Sequence, residues 1–465
     1  MQFDSYIYAL FLPLVFIIYW ATRKRLHLQN LFLLAASYTF YGWWDWRMLG
    51  LICFTSVSTY ASGLLIKPGR SLSAKCVAAG NVVINVGILC LFKYFNFFKD
   101  TLAALLQSFG TATDWPTLNV LLPVGISFYT FQAISYTIDV YRSELKPTRD
   151  LTAFLVYVSF FPQLVAGPIE RAKDLLPQFL KAKEFDYDNA VTGMRQILWG
   201  LAKKVVVANS LAQYVDYVFY HPSVMSPTTM LLGTILFTIQ IYADFSGYSD
   251  IAIGSARLFN IKLSTNFHYP LFSRSMREVW RNWHITLMRW FTAYVYIPLG
   301  GSRRGRLRTV ANVMLVFALS GLWHGADWTF VIWGAANGIL VSAHTFMPRR
   351  SEEWPPSVRD LPRIAVTFLL FALTYMSFRA TGISHLGEIV AVLATGNWLT
   401  VPMGLSALAY TVPLLVVEWM GRRQEFPIKV LKMPTVARWA IYWTLLALIA
   451  WKSIGQNTQF IYFQF

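Results

Sequence analysis

Apolar stretches long enough to cross a bilayer as helix, or nearly so, recur from one end of this chain to the other. Charged residues gather where those stretches stop. A helical span needs about 20 apolar residues, and this arrangement leaves few other places for the chain to go. Hydrophobic residues make up 56% of the 465 positions and charged residues 14%. A soluble domain carries about 25% charged residues, so this chain lacks the polar side chains to cover a water-facing surface of its size. The apolar runs, such as residues 361–378, are continuous and do not alternate. A transmembrane barrel would show alternating segments of roughly ten residues. The expected class is an all-α polytopic membrane protein.

The formal net charge of +17 would point to nucleic acid in a soluble protein. Here the basic residues cluster at the ends of apolar segments, as cytoplasmic loops do, so no nucleic-acid partner is expected. Cys53, Cys76 and Cys90 lie in or beside apolar segments without metal-like spacing, which gives neither a disulfide framework nor a zinc site. The N-terminal segment has no basic leader and no small-residue cleavage site before Arg23-Lys24-Arg25, and reads as a first span rather than a signal peptide.

Arg23-Lys24-Arg25 closes that span on the cytoplasmic side and puts the N-terminus in the periplasm. Trp43, Trp44 and Trp46 suit the outer interface, and Lys67, Arg70 and Lys75 mark the next cytoplasmic loop. A span over 120–141 contains Pro123 and Gly125, breaks that neighbouring helices can tolerate. Residues 151–166 are apolar but interrupted by Pro162, and read either as a span or as a re-entrant segment. Residues 170–189 are the most charged stretch, followed by apolar segments at 191–219, which carries Lys203 and Lys204, and at 230–242.

From residue 266 arginines alternate with tryptophans, too polar for a lipid-facing span, so this part lies at an interface or lines a wet cavity. Residues 309–347 lie between Arg303–Arg308 and Arg349-Arg350. With both basic flanks cytoplasmic, the segment enters and returns, with His324 near its apex. The organisation expected is a single domain, 1–465, with N-terminal spans to 142, a core over 143–350 and C-terminal spans over 351–465. The expected total is about ten to twelve spans.

Two histidines stand out. His324, in Leu322-Trp323-His324-Gly325, is by residue type a buried ring hydrogen-bonded at a helix break, or else a general base kept neutral by desolvation. His284, in Arg281-Asn282-Trp283-His284, is equally an interfacial residue or a second polar group converging on the same site. The other histidines fall at segment ends. No metal motif such as His-Glu-x-x-His is present, and no bound metal or cofactor is expected. Asp139, Asp244, Asp250 and Glu418 fall where an arginine partner would be needed, and Asp244 precedes the stretch that forms the cavity.

Several blocks occur together and in order: Phe128-Tyr129-Thr130-Phe131-Gln132, Phe160-Phe161-Pro162-Gln163 through Ile169, and Ala243-Asp244-Phe245-Ser246-Gly247-Tyr248-Ser249-Asp250. Trp280-Arg281-Asn282-Trp283-His284, Tyr296-Ile297-Pro298-Leu299-Gly300-Gly301, Leu322-Trp323-His324-Gly325 and Phe460-Ile461-Tyr462-Phe463 complete the series. In these blocks the sequence resembles the membrane-bound O-acyltransferase (MBOAT) family and, within it, the alginate O-acetyltransferase branch.

The resemblance implies a ring of helices around a central tunnel, with re-entrant and interfacial helices. It implies that His324 matches the family's essential histidine and His284 its second. The implied activity moves acetyl from cytoplasmic acetyl-CoA to hydroxyls of an exported polysaccharide, directly or through a periplasmic SGNH-hydrolase-like partner, at the bacterial inner membrane. Arg281, Asn282, Trp283, Trp323 and Asp244 become candidate substrate or donor contacts. Two departures stand out: the branch often has a second arginine where Asn282 lies, and Arg-Asp where this chain has Thr292-Ala293. Neither removes a histidine. A polysaccharide channel or a non-catalytic scaffold of a secretion complex are the alternative classes. The absence of internal repeats counts against an inverted-repeat transporter.

Overall fold

The computed structural model describes every residue except 68, 70, 112–114, 116, 119–121, 348–353, 430–432, 455–459 and 462–465. Arg70, Arg349, Arg350 and the last four residues of the terminal block therefore lie outside the described residues. Among the described residues the chain is helix, turn and loop, without strands. Its contacts divide it into two compact units, Met1–Tyr187 with Leu258–Leu263, and Asp188–Arg257 with Ser264–Phe465.

The first unit contains α1 (Tyr6–Ala21), α2 (Leu26–Gly42), α3 (Leu49–Leu65), α4 (Leu72–Leu89), α5 (Phe95–Ser108) and α6 (Ile126–Tyr141). It ends with α7 (Leu151–Ser159), the single turn α8 (Phe161–Leu164) and α9 (Ala172–Phe179). The Ser5 hydroxyl caps α1 by accepting the Tyr8 N–H. Tyr8, Leu12, Val15 and Tyr19 then fall on one buried stripe, while Leu10 is 77% exposed on the opposite face. That outer face is as apolar as the inner one.

Inside the unit, polar groups meet each other: Thr137 Oγ1 donates to Asn81 Oδ1 at 2.7 Å, and Asn85 Nδ2 to the same oxygen at 3.1 Å. Gly63 lets α3 close on α6, where a Cβ would stand 2.6 Å from the Tyr136 ring. Small residues and side-chain hydrogen bonds inside, with apolar residues outside, are what helices use when the surroundings are lipid. The helix expected over 120–141 begins only at Ile126. Gly125, at φ 75°, precedes it, so Pro123 and Gly125 start the helix instead of interrupting it.

The second unit runs through α10 (Tyr187–Leu201), α11 (Asn209–Tyr220), α12 (Pro227–Leu258), α13 (Met276–Asn282), α14 (Ile285–Phe291), α15 (Arg306–His324) and α16 (Trp328–Ala343). It closes with α17 (Leu361–Arg379), α18 (Ile383–Thr395), α19 (Leu408–Gly421) and α20 (Thr435–Ser453). The apolar segment expected over 191–219 is not one helix: a π-helical stretch, Ala202–Ala208, joins α10 to α11. Conversely, 230–242 and the Asp244–Asp250 block merge into α12, whose 32 residues extend roughly 48 Å. Gly193 faces Gly254, and Gly200 faces Gly247. A Cβ at Gly200 would sit 2.6 Å from the Gly247 carbonyl, so these positions bring α10 and α12 into backbone contact.

Among the described residues, five helical stretches are long and apolar enough to cross a membrane: Trp46–Leu65, Leu72–Ser108, Pro227–Leu258, Arg306–His324 and Val358–Arg379. Shorter apolar helices accompany them, including Tyr6–Ala21 and Trp328–Ala343. The chain is a multi-pass, all-helical membrane protein.

Candidate functional site

His324 is the last residue of α15, and Asp327 restarts the chain as the N-cap of α16 by accepting the Thr329 N–H at 2.8 Å. The two helices form a hairpin held together by glycines. A Cβ at Gly321 would stand 2.2 Å from the Phe330 carbonyl, and one at Gly334 would stand 2.3 Å from that of Phe317. Gly325 lies against the Phe330 ring itself, where a Cβ would meet a ring carbon at 2.0 Å. The Trp323-His324-Gly325 block is therefore a turn with no room for a larger residue, and it holds the imidazole at the hairpin tip. Trp323, Trp333 and Phe378 surround the ring, with centroids 5.0, 5.0 and 5.3 Å away.

His284 sits between the short helices α13 and α14, outside the membrane-crossing stretches. Its backbone is left-handed, φ 44° and ψ 50°. For a residue with a Cβ, that conformation costs roughly 1–2 kcal/mol and persists only where neighbours enforce it. Asn266 does so. Its carbonyl accepts the Ile285 N–H at 2.9 Å, and its Oδ1 accepts the Thr286 N–H at 3.3 Å and the Thr286 hydroxyl at 2.9 Å. The same Oδ1 lies 3.2 Å from His284 Nδ1. Phe245 of α12 packs edge-on against the ring at 4.8 Å. His284 is fully buried, and that burial pushes its imidazole down to about 3, so the ring is neutral at physiological pH.

These two histidines, far apart in the chain, come within 6.5 Å of each other, centroid to centroid, with Trp323 packed against both. That separation exceeds the reach of a direct hydrogen bond, whose heavy atoms stand about 3 Å apart. It suits two rings addressing one small group from different sides. Trp283 fixes the approach from behind. It is buried against Phe267, Phe371, Tyr375 and Tyr242, each with its ring centroid within 6.0 Å.

The remaining sequence candidates take other places. Asp244 is buried on α12, where its Oδ1 meets Lys204 Nζ at 2.7 Å and its Oδ2 accepts the Ile461 N–H at 2.8 Å. Asp250 pairs with Lys203 at 2.6 Å. Both aspartates therefore take lysines from the π-helical stretch, not the arginines expected, whereas Asp139 does pair with Arg171 at 2.9 Å. Glu418 accepts the Tyr242 hydroxyl at 2.8 Å. Arg281 is exposed, and Asn282 is half-buried, its carbonyl accepting the His268 N–H at 2.9 Å. Arg274 is engaged by Glu278 and Arg277 by the His344 carbonyl.

Asn266 as the partner of the His284 ring, and Lys203 and Lys204 as the partners of Asp250 and Asp244, are not among the residues expected from the sequence. Two lysines in the middle of an apolar run were the available signal. Lys203, Asp250, Ser246, Gln196, Glu418 and Asn266 line a small cleft, of which Asn266 is also the partner of the His284 ring. Among the described residues no group of three His, Cys, Asp or Glu side chains is arranged to hold a metal ion.

The sequence model of the membrane-bound O-acyltransferase family matches residues 142–384, which contain both histidines. A protein of Azotobacter vinelandii named probable alginate O-acetylase AlgI is 40% identical over 86% of this chain and 79% of its own length. One of the same name from Pseudomonas aeruginosa is 37% identical over 92% of this chain and 82% of its own. A peptidoglycan O-acetyltransferase of Helicobacter pylori is 34% identical over 80% of this chain and 75% of its own.

Proposed function

The chain belongs to the membrane-bound O-acyltransferase family and is an O-acyltransferase, and on that premise we propose that it transfers acetyl from acetyl-CoA to hydroxyls of an exported, alginate-like polysaccharide. His324 acts as the general base. It takes the proton of the acceptor hydroxyl as that oxygen attacks the thioester carbonyl carbon. The tetrahedral intermediate then collapses, the C–S bond breaks, and the thiolate leaves, taking up a proton to become the free thiol. A positioned general base contributes roughly 10²–10⁴-fold in rate. Burial among Trp323, Trp333 and Phe378 limits hydrolysis of the donor by water. His284 orients the donor.

The observation that carries this reading is the convergence of His284 and His324 to 6.5 Å inside one aromatic enclosure. A structural histidine needs no second histidine facing it. The cleft beside Asn266 supports entry of the donor from the cytoplasm. Its rim includes Glu425, which is engaged by Arg257 and Lys429, in the loop that follows Arg422 and Arg423. Basic loops of that kind face the cytoplasm, so a thioester arm entering there would arrive beside His284. The basic Arg23–Arg25 loop is cytoplasmic by the same rule, so the N-terminus lies in the periplasm of an inner-membrane protein. The names of the relatives point to a polysaccharide acceptor beyond the membrane. Delivery there is either direct or through a periplasmic SGNH-hydrolase-like partner.

The test uses the full chain in membrane vesicles supplied with labelled acetyl-CoA. The unmodified protein passes label to polysaccharide, or to a co-expressed partner. His324→Ala loses at least 100-fold of that transfer while remaining folded in the membrane. Full activity in folded His324→Ala would overturn the assignment. Polysaccharide movement without acetyl transfer would favour a channel.

A further inference from the structure

Asn266 has a chemical consequence beyond holding a turn. A backbone N–H can only donate a hydrogen bond. The Asn266 side-chain atom facing the Thr286 N–H is therefore its oxygen, and the amide orientation follows from that contact. The same oxygen stands 3.2 Å from His284 Nδ1. An amide oxygen only accepts, so the proton between them must lie on Nδ1. A neutral imidazole carries one proton, which leaves Nε2 as the lone-pair nitrogen. Such a ring cannot donate to a developing oxyanion. It can accept from an N–H or O–H of a substrate.

We propose that Asn266 is a positioning residue for the transfer reaction, locking His284 as its Nδ1–H tautomer so that Nε2 meets the substrate as a hydrogen-bond acceptor. This rests on the reading of the two-histidine site given above and specifies the role of His284 within it. The group accepted is an amide N–H of the donor's thioester arm or the O–H of the acceptor. The enclosure keeps the ring neutral, since burial pushes it down to about 3. Ionisable groups on the elements around it include His324 on α15, His268 on its own loop, Asp244 and Asp250 on α12, and Arg277 and Glu278 on α13. The two aspartates are held by Lys204 and Lys203. Arg281 and Arg289, on α13 and α14, are exposed.

Asn266 is itself fixed. It is fully buried, and its Nδ2 donates to Ser249 Oγ at 3.4 Å, which opposes an amide flip. A group that orients a histidine through its second ring nitrogen typically changes function by 10- to 100-fold when removed.

Two measurements test the assignment. The first is nitrogen-15 NMR of histidine-labelled full chain in detergent, with His284 identified by the signal missing in His284→Gln. A protonated Nδ1 and an unprotonated Nε2 are expected at neutral pH; the opposite tautomer overturns the proposal, whatever the activity of the protein. The second is the pH profile of acetyl transfer from acetyl-CoA in vesicles. Asn266→Asp puts a carboxylate against Nδ1 and favours imidazolium, which turns Nε2 into a donor. That variant is expected to lose activity as pH falls through neutrality and to regain it above, a limb absent from the unmodified protein. Asn266→Ala is expected to lower kcat roughly 10- to 100-fold per folded molecule, with a smaller change in KM. Superimposable pH profiles and unchanged kcat per folded molecule in both variants would overturn the role. His324→Ala in the same assay separates the two readings: an inactive His324→Ala beside unaffected Asn266 variants refutes only the inference.

Discussion

The two units bury polar groups in different ways. In the first, Thr137, Asn81 and Asn85 form a neutral network, and one ion pair, Asp139–Arg171, has a buried carboxylate and a partly exposed guanidinium. In the second, Lys204–Asp244 and Tyr242–Glu418 are buried, Lys203–Asp250 joins a buried lysine to a partly buried aspartate, and two buried histidines share the unit. Neutral hydrogen bonds between helices need little from their surroundings. Buried charges carry a desolvation cost of several kcal/mol per ion, and their mutual attraction offsets it only when geometry is good. A unit that gathers several such pairs near the two histidines carries a larger desolvation cost around the candidate site than the other unit carries in its packing.

Breaking one partner of a buried pair should expose the difference most clearly. Lys204→Met leaves Asp244 buried without its cation and should destabilise by about 3–5 kcal/mol. Thermal unfolding in detergent is the measurement. Lys204→Met combined with Asp244→Leu should recover most of the loss, because no lone charge remains. A single variant with unchanged stability would show that the pair is not buried as described.

Acid should act next, and one route in the second unit is His284. Its imidazole is held at about 3 in the folded protein, below the ordinary value of 6.5. The folded form therefore binds fewer protons than the unfolded chain across that window. Its contribution to stability is full above pH 6.5 and is lost progressively as pH falls towards about 3. His284→Gln, which cannot charge, should flatten that part of the stability–pH curve. An equally steep curve in the variant would assign the acid sensitivity elsewhere.

The smallest effect is expected in the first unit. Asn81→Val removes the acceptor shared by Thr137 and Asn85 and should cost about 0.6–1.7 kcal/mol, the range for hydrogen bonds between membrane helices. Transfer activity per folded molecule should not change. Loss of activity out of proportion to stability would blur the division between the units.

Much of this was legible in the sequence. Apolar runs separated by basic loops demand a multi-pass helical protein, because lipid leaves backbone groups no other way to be satisfied. The blocks around His284 and His324 marked both histidines before any geometry was known. The boundaries were harder. Pro123 and Gly125 look like interruptions of a span and are instead its start, because a left-handed glycine and a preceding proline delimit a helix as readily as they break one. The Asp244–Asp250 block looks too polar to continue a buried helix. It continues because Lys203 and Lys204, from a segment that precedes it in the chain, neutralise both charges.

Composition and local order thus determined the environment, the helical class and the identity of the two histidines, since each follows from what lipid excludes and from residues adjacent in the chain. Only the tertiary structure decided that the two rings meet at 6.5 Å, which lysine answers which aspartate, and that the Asn266 side-chain oxygen faces His284 Nδ1. Those facts depend on distances and donor directions between segments remote in sequence. A tautomer is set by the atom facing the ring, and no local pattern encodes which atom that will be.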